Sequence, residues 1–373
     1  MNYCKICVQP DTRPNIKFNK SGICPACEYA ATLKEVDWQA RRKILDEICD
    51  FGRNNNSSGY DCIIGVSGGK DSTRQALYVK HILKLKPLLV SCAFPPEQIT
   101  HRGAYNVQNL ISQGFDLIFI GPAPKTWKEK MKQGFYEFGN WQKSTELALF
   151  SCVPRLATAY QIPLIFWGEN PALTLGELGI QSRDFEGNNM KWGNTLAGGD
   201  PSWMFTNGIE LKDVLSYSYP SDKDMLRAQL RIVYLGYFWR VWSKKENGVF
   251  SALHGLDVRD DKPDEIGDIY GVDALDEDWM NLNQMIKYRK FGFGRVTETV
   301  CEEIRFGRMS RKKGVELIKK YDGKISDAIV ADFSSYLGIS TQEFWRVVDS
   351  YTNKDIFHKD SSGNWTLIYP IGG

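Results

Sequence analysis

The sequence has little net charge, no long hydrophobic run and no leader-like N-terminus. Its 47 Lys and Arg residues nearly balance its 45 Asp and Glu residues, for a formal net charge of +2. A dense basic face for nucleic acid or for an anionic membrane is therefore not expected, although a local basic patch is compatible with this balance. No stretch reaches the roughly 18 apolar residues of a membrane-spanning helix. The first residues contain no apolar segment typical of a secretory signal, so we expect a cytoplasmic protein.

Nine cysteines, an odd number in a 373-residue chain without an export signal, indicate reduced thiols instead of disulfides. Four of them form two C-x-x-C pairs near the N-terminus: Cys4, Cys7, Cys24 and Cys27. Two residues between thiolates let the backbone turn around a metal, and two such pairs complete a tetrahedral shell of four sulfurs. The spacing predicts a structural Zn²⁺ site. An iron–sulfur cluster and a pair of redox dithiols are the alternatives.

Short apolar segments alternate with helical patterns in the first half of the chain. The predicted strands are 62–66, 88–94, 115–120 and 164–167, and the predicted helices between them are 72–85, 101–113 and 144–160. This alternation indicates an α/β fold with a doubly wound parallel sheet, in which ligands bind beyond the carboxyl ends of the strands. We expect three parts: a metal-binding segment at 1–35, the α/β domain at 36–256 with a substrate loop at 169–220, and a mostly helical region at 257–373.

The segment 67–72 reads Ser-Gly-Gly-Lys-Asp-Ser and directly follows the first predicted strand. Its two glycines have no side chains, so their N–H groups can approach a phosphate closely, and the following helix adds its N-terminal dipole. The hydroxyls and the lysine supply donors and a positive charge. The run is not a Walker A loop, because Ile64 and Asp71 occupy the positions where that loop needs Gly and Ser or Thr.

This segment, here called the PP-loop, resembles the S-G-G-x-D-S signature of the PP-loop ATP pyrophosphatases, which have a HUP-like α/β fold. The resemblance implies that the loop grips the β,γ-pyrophosphate of ATP while a substrate oxygen attacks the α-phosphorus, with Mg²⁺ on the phosphates. It implies these ATP-binding residues: Ser67, Gly68, Gly69, Lys70, Asp71, Ser72, Ala93, Phe94 and Gly168. Ala93 and Phe94 would lie against adenine. Lys70, Asp71 and Glu169 would be catalytic, with Glu169 holding Mg²⁺ or transferring a proton.

The order of cysteine pairs, PP-loop and late helices resembles the N-acetyl sugar amidotransferases, which make acetamidino sugars for bacterial surface polysaccharides. Two C-terminal runs carry the family-specific part of the resemblance, KFGFGRVTETVCEEIRFGR at 290–308 and KYDG at 320–323. The tRNA thiolases of the same superfamily are the alternative, since some carry two C-x-x-C pairs before the loop. They commonly use further cysteines, whereas the other five here are isolated: Cys49, Cys62, Cys92, Cys152 and Cys301. A non-catalytic metal-binding module on a degenerate ATPase scaffold is a further alternative.

The family resemblance implies a reaction on the acetamido group of a nucleotide-linked sugar, in the synthesis of lipopolysaccharide, O-antigen or a related glycan. Adenylation of the amide oxygen would give an O-adenylyl imidate, and ammonia would then displace AMP to leave an acetamidine. Asn170 and Arg183 are the candidate substrate contacts. Arg183 is equally compatible with a solvated surface arginine.

The sequence has only four histidines and no recognisable glutaminase site. One type of glutaminase uses a cysteine at the processed N-terminus, but Asn2 follows Met1 here. We therefore expect a separate class-I glutaminase subunit to supply ammonia. The runs at 291–295 and 303–308, which mix aromatic residues with arginine, are its candidate docking surface or a cap over the sugar pocket.

Overall fold

The computed structural model describes residues 1–176, 187–188, 191, 199–206 and 208–373. Five parallel strands form its main sheet. Their bounds are β1 Cys62–Gly65, β2 Pro87–Cys92, β3 Asp116–Ile120, β4 Leu164–Trp167 and β5 Arg231–Tyr234. The spatial order is β3-β2-β1-β4-β5, and every neighbouring pair is parallel. This confirms the predicted α/β fold with a doubly wound parallel sheet.

The central strands are buried on both faces, as their nearly continuous apolar sequences predict. All six positions of β2 and all four positions of β4 are buried. In the central register, Ile64 of β1 pairs with Leu89 on one side and with Phe166 on the other. The chain leaves β1 toward β2 and leaves β4 toward β5, so the direction of winding reverses between β1 and β4. Ligands of such sheets bind at this reversal, beyond the carboxyl ends of the two strands.

Helices connect and flank these strands. Their bounds are α1 Pro25–Thr32, α2 Trp38–Asn55, α3 Lys70–His81, α4 His101–Ser112, α5 Pro124–Phe138, α6 Gln142–Tyr160, α7 Pro171–Thr174, α8 Asp222–Arg227 and α9 Lys244–Leu253. Side-chain caps begin several of them; the Asp37 carboxylate, for example, accepts from the N–H groups of Gln39 and Ala40 at the start of α2. Helices α3 and α6 pack on the sheet, and α9 packs on α3.

The C-terminal region is mostly helical, as predicted, and also contains a small antiparallel hairpin. Its elements are α10 Pro263–Ile266, α11 Trp279–Phe291, α12 Arg295–Arg305, α13 Arg311–Tyr321, α14 Asp327–Leu337, α15 Thr341–Tyr351, β6 Phe357–Lys359 and β7 Trp365–Leu367. Among the described residues, no helix is both long enough and apolar enough to cross a membrane.

The elements that were not predicted from the sequence include α1, α5, β5, α9 and the β6–β7 hairpin. Strand β5 has only four residues, and it follows a long stretch rich in Gly, Asn, Pro and Ser that gives no periodic signal. Helix α5 carries charged residues in most turns, so its apolar stripe is narrow. The predicted division of the chain into three parts remains a prediction.

An aromatic cluster joins the C-terminal helices to the α/β domain. Phe333 of α14 lies with its ring centroid 5.8 Å from that of Phe135 and 5.6 Å from that of Trp141, both in the α/β domain. On the C-terminal side it contacts Trp279 at 5.5 Å and Phe344 at 6.1 Å. Edge-to-face aromatic pairs of this kind add to the free energy gained by burial. The two regions therefore share one core.

Replacing Phe333 with Ala should lower the free energy of unfolding by about 3–5 kcal/mol, because the cavity would remove contacts on both sides of the shared core. The measurement is the midpoint of chemical denaturation. Ser335→Ala, on the exposed side of the same helix, is the matched control and should change stability by less than about 0.5 kcal/mol. Equal midpoints for the two variants would contradict a shared core.

Candidate ATP site and metal centre

The loop between β1 and α3 has the backbone shape that its glycines predict. Gly68 has a φ of +80°, and a Cβ there would lie 3.0 Å from the carbonyl oxygen of Gly103. Any larger residue would therefore be strained and crowded. Gly69 is the N-cap of α3, which begins at Lys70, so the free N–H groups and the positive end of the helix dipole lie at the end of β1.

Lys70 is buried and binds two carboxylates. Its Nζ lies 2.9 Å from Oδ2 of Asp71 and forms a shorter contact with Oδ1 of Asp273. Burial alone would lower the pKa of Lys70, but the charges of Asp273 and Asp71 raise it above its ordinary value. The lysine is therefore a permanent cation at the base of the loop.

Asp273 binds two further cations, so three positive groups converge on one buried carboxylate. Lys244 Nζ lies 2.8 Å and Arg295 Nη1 3.0 Å from its Oδ2. Burial by itself would raise the pKa of Asp273, but Lys244, Lys70 and Arg295 hold it well below its ordinary value. Asp273 and Arg295 belong to the C-terminal region. That region thus reaches the PP-loop through a buried ion cluster, here the Asp273 cluster: Lys70, Lys244, Asp273 and Arg295.

Glu169 follows β4 and lies close enough to Asp71 for their charges to interact. Its Oε2 atom is buried and has no hydrogen-bond partner among the described residues. Burial, reinforced by the charge of Asp71, raises the pKa of Glu169 to about 7. Asp71 itself is oriented by Asn247, whose Nδ2 lies 2.6 Å from its Oδ1. Gly168 lies against α3, since a Cβ on it would be 2.9 Å from Oε1 of Gln75.

A cavity of about 170 Å³ opens between the PP-loop and the end of β2. Its lining includes Ser67 and Asp276, which lie within hydrogen-bonding reach of each other, together with Ala93, Phe94 and Phe119. The structure thus brings the two residues expected at adenine, Ala93 and Phe94, to the same cavity as the first residue of the loop. Their role in ATP binding remains a prediction.

The two predicted substrate contacts differ in what the structure describes. Asn170 is buried. Its side chain caps the short helix α7 by accepting from the N–H of Leu173, and it also donates to the carbonyl of Gly236. Its amide is therefore committed to local structure. Arg183 lies outside the described residues. Neither proposed substrate role is tested by the structure.

Sequence reasoning did not single out Lys244, Asn247, Asp273 or Asp276 for the site, and it gave Arg295 only a docking or capping role. Arg295 and Phe293 of the run at 291–295 are in fact buried in this chain, with 7% and 1% of their surfaces exposed. They therefore offer no free docking surface. The only sequence signal for Asp273 and Asp276 was the acidic run in which they lie, Asp-Ala-Leu-Asp-Glu-Asp at 273–278. This run is here called the acidic strap.

The N-terminal cysteines form a compact group that can hold a metal ion. The sulfur atoms of Cys4, Cys7, Cys24 and Cys27 lie within 4.8 Å of one another, and all four residues are buried. Two of the sulfur–sulfur distances are 3.9 Å, for Cys4 and Cys27, and 3.7 Å, for Cys7 and Cys24. Four converging sulfurs without a disulfide are the donor set that soft and borderline metals prefer.

This metal-binding segment is anchored to the C-terminal helices. Arg311 of α13 donates to the carbonyl oxygens of Cys7 and Cys4, each at 3.1 Å. Cys301 of α12 is buried beside Cys7, within hydrogen-bonding reach of its thiol. The other isolated cysteines, Cys49, Cys62, Cys92 and Cys152, are buried as well.

A larger cleft of about 310 Å³ lies at the opposite end of the strands, between Asp61, Lys84 and Gly114. Lys80, which also lines it, donates to the backbone carbonyls of Gln113 and Gly114 and so has its hydrogen bonds satisfied locally. Because the doubly wound fold places ligands at the carboxyl ends, we assign no function to this cleft.

Replacing Cys24 with Ser should cost the chain its bound metal and most of its soluble yield, since metal binding and folding are coupled in such sites. Elemental analysis of the purified wild-type chain should find one metal ion per chain. Cys301→Ser is the matched control: it removes a neighbouring buried sulfur that is outside the four-sulfur group, so the metal should stay. A metal-free, folded wild-type protein would refute the site.

The chain's C-terminal part matches a known family. Residues 269–371 match the LPS biosynthesis protein WbpG-like, C-terminal domain. Comparison with curated proteins gave no match. Two solved structures are similar. NH3-dependent NAD synthetase from Campylobacter jejuni subsp. jejuni NCTC 11168, in complex with the nitrate ion, is 18% identical with a TM-score of 0.30, over 50% of this chain and 99% of that chain. U34-tRNA thiolase NcsA from Methanococcus maripaludis, with its 4Fe-4S cluster, is 12% identical with a TM-score of 0.32. That match covers 100% of this chain and 96% of that chain.

At these TM-scores neither structural likeness bears on the function of this chain. The family match bears out, for the C-terminal part, the resemblance that the runs at 290–308 and 320–323 carry. Residues 269–371 are therefore similar to the C-terminal domain of WbpG-like LPS biosynthesis proteins, and in this chain they follow a parallel α/β sheet with an SGGKDS loop.

Proposed function

We propose that this chain is an ATP-dependent amidotransferase that converts the acetamido group of a nucleotide-linked sugar to an acetamidino group, for lipopolysaccharide, O-antigen or a related glycan. The observation that carries the proposal is the contact between the matched domain and the PP-loop. Asp273 and Arg295 lie within the WbpG-like region, and Asp273 binds Lys70 of the loop directly. The region that matches the LPS biosynthesis family and the loop proposed to bind phosphate are thus in direct contact.

An acetamide is a poor electrophile because the nitrogen lone pair is delocalised into the carbonyl. In the proposed first step the amide oxygen attacks the α-phosphorus of ATP, a P–O bond breaks and pyrophosphate leaves. In the second, ammonia adds to the imidate carbon, a proton is lost from nitrogen, and AMP departs with the oxygen. The N–H groups around Gly68 and Gly69 and the fixed charge of Lys70 would stabilise the phosphate oxygens as charge develops on them.

Glu169 suits the proton transfer. Its unpartnered Oε2 and raised pKa place a carboxylate that can accept a proton near neutral pH beside the end of β4, facing the loop. Asp71 is the residue that would hold Mg²⁺, since carboxylate oxygens are its preferred protein ligands; Glu169 would be a Mg²⁺ ligand only in place of the proton-transfer role. Mg²⁺ bound there would neutralise charge on the ATP phosphates.

We propose structural Zn²⁺ for the four-cysteine site. A tetrahedral zinc with thiolate bonds of about 2.3 Å separates its sulfurs by about 3.8 Å, which is close to the 3.9 and 3.7 Å distances here. A cubane cluster would hold its four thiolates farther apart, because iron atoms lie between them. Anchoring by Arg311 to the C-terminal helices gives the site a structural place in the fold.

Ammonia is proposed to come from a separate class-I glutaminase subunit. Little free NH₃ is present at neutral pH, and water would hydrolyse the adenylated imidate back to acetamide. A partner that delivers ammonia directly to a covered site avoids both losses. We place the reaction in the cytoplasm, where ATP and reduced thiolates are available.

The test supplies the purified chain with ATP, Mg²⁺ and a UDP-linked N-acetyl sugar, and compares nitrogen donors. With concentrated ammonium salt, we expect AMP, pyrophosphate and an acetamidino sugar; with glutamine, we expect product only after a glutaminase subunit is added. Mass spectrometry of the sugar, which becomes about 1 Da lighter when NH replaces O, reports the reaction alongside nucleotide analysis.

Asp71→Asn is the matched inactive variant. It keeps the size of the side chain that Asn247 binds while removing its charge, so turnover should cease while the fold is retained. ADP and phosphate as products would disprove the attack at the α-phosphorus. Turnover that requires tRNA and ignores the sugar would favour the thiolase alternative, and efficient use of glutamine by the isolated chain would eliminate the partner.

Glu169→Gln should reduce amidine formation by about 10²–10⁴-fold, the usual contribution of a general base. In the wild type the rate should rise with pH through about 7, since Glu169 is protonated and inactive as a base below that pKa and ionised above it. The rates are compared at a constant concentration of free ammonia, so that the ionisation of the donor does not create the profile. A wild-type profile without an inflection near 7, or an unimpaired Gln variant, would remove Glu169 from this role.

A further inference from the structure

The acidic strap is held rigidly against the α/β domain. Arg259 donates from Nε to the carbonyl of Ala274 at 3.0 Å and from Nη2 to the carbonyl of Glu277 at 3.0 Å. From the other side, the backbone N–H of Thr100 donates to the carbonyl of Asp276, also at 3.0 Å. A Cβ on Gly103 would lie 2.6 Å from Cα of Asp276, so only glycine permits this close approach. The position of Asp276 is therefore fixed from both sides.

Two carboxylates of the acidic strap, three residues apart in the sequence, contact the PP-loop. Asp273 binds Lys70, and the carboxylate of Asp276 lies within hydrogen-bonding reach of the Ser67 hydroxyl. Asp276 is half-buried and lines the 170 Å³ cavity that also contains Ala93 and Phe94. Its carboxylate is thus presented to a cavity, and no cation is bonded to it among the described residues.

The lining of the cavity matches the parts of a nucleotide. Phe94, Val107 and Phe119 are apolar and suit the faces of a base, whereas Ser67 belongs to the loop whose N–H groups suit phosphates. In a nucleotide the ribose connects base to phosphate. Asp276 lies at that junction, on the Ser67 side of the cavity.

We propose that Asp276, supplied by the C-terminal region, accepts hydrogen bonds from the ribose hydroxyls of ATP and makes the site selective for ribonucleotides. This inference rests on the ATP site of the proposed function. A carboxylate is an acceptor only, which suits hydroxyl donors and repels phosphate oxygens. Carboxylates perform this task at the ribose of dinucleotides in other doubly wound sheets.

The charge of Asp276 supports its proposed contact with the ribose. Burial raises the pKa of Asp276 to about 6, with the Ser67 hydrogen bond and the charges of Arg259 and Arg295 acting in the opposite direction. At neutral pH the group is therefore mostly ionised. A hydrogen bond from a hydroxyl to a partly buried carboxylate is stronger than one between neutral groups.

The experiment measures binding of ATP, 2′-deoxy-ATP, 3′-deoxy-ATP and inosine triphosphate to the full chain by calorimetry. The wild type should bind ATP about tenfold to a hundredfold more tightly than at least one deoxy analogue, the loss expected for one hydrogen bond to a charged group. Asp276→Ala should bind ATP and that analogue within about twofold of each other. Asp276→Asn, which keeps the shape of the strap and an acceptor oxygen, should fall between the two.

Asp273→Asn is the matched comparison on the same strap. It should weaken ATP and the deoxy analogues equally, because it loosens Lys70 without facing the ribose. Equal wild-type affinity for ATP and both deoxy analogues would overturn the inference, as would discrimination that survives in Asp276→Ala. If Asp276→Ala alters only the preference for ATP over inosine triphosphate, the carboxylate recognises the base instead, and the ribose role is wrong.

Failure of this inference is distinguishable from failure of the proposed function. Nucleotide binding needs neither sugar nor ammonia, so the ribose preference can hold even if no acetamidino sugar forms. A wild-type chain that binds no ATP would instead overturn the ATP site itself.

Discussion

The structure depends on the buried ion cluster around Asp273. Three cations converge on this carboxylate, and their side chains are at most 16% exposed. Transferring such charges from water is costly, and the cost is offset only while every partner is in place; removing one member of a buried pair typically costs about 3–5 kcal/mol. The α/β domain contributes Lys70 and Lys244, and the C-terminal region contributes Asp273 and Arg295. Neither part can therefore keep its half of the cluster buried without the other.

The N-terminal segment joins this arrangement through a second ion cluster. Arg13 Nη2 lies 2.6 Å and Lys287 Nζ 3.1 Å from Oε1 of Glu298, which is on α12, the helix that begins with Arg295. Arg311 secures the cysteine site to α13 at the same time. The N-terminal segment, which includes the four cysteines, thus contacts the N-terminal parts of α12 and α13, and α12 presents Arg295 to Asp273. A metal ion bound by the cysteines would in this way help to hold Arg295 in place.

Local patterns in the sequence were sufficient for four of the five strands, because apolar strands have a short-range signature. Strands β1 to β4 were predicted within two residues of their observed bounds. Strand β5 was not predicted because RIVY is short and the flanking sequence has no periodic pattern. The residues that contact the loop were not predicted for a different reason. Lys70 and Asp273 are 203 residues apart, and an aspartate in an acidic run gives no sign that it will be buried against a lysine.

Covering the PP-loop with the C-terminal region has an energetic consequence for its carboxyl groups. Burial raises the pKa of Glu169 and of Glu302 to about 7 and that of Asp276 to about 6. A carboxyl whose pKa is raised by folding does not lower stability in acid, where it is protonated in both states. It destabilises the fold increasingly as pH rises from its ordinary value through the raised one. At neutral pH these groups therefore work against folding, and the aromatic core and the ion clusters must offset them. A ligand that brings a cation or a hydrogen-bond donor beside them lowers their pKa values and so binds with that free energy in its favour. The burial of these carboxyl groups thus makes the surroundings of the loop a stronger binding site for such a ligand.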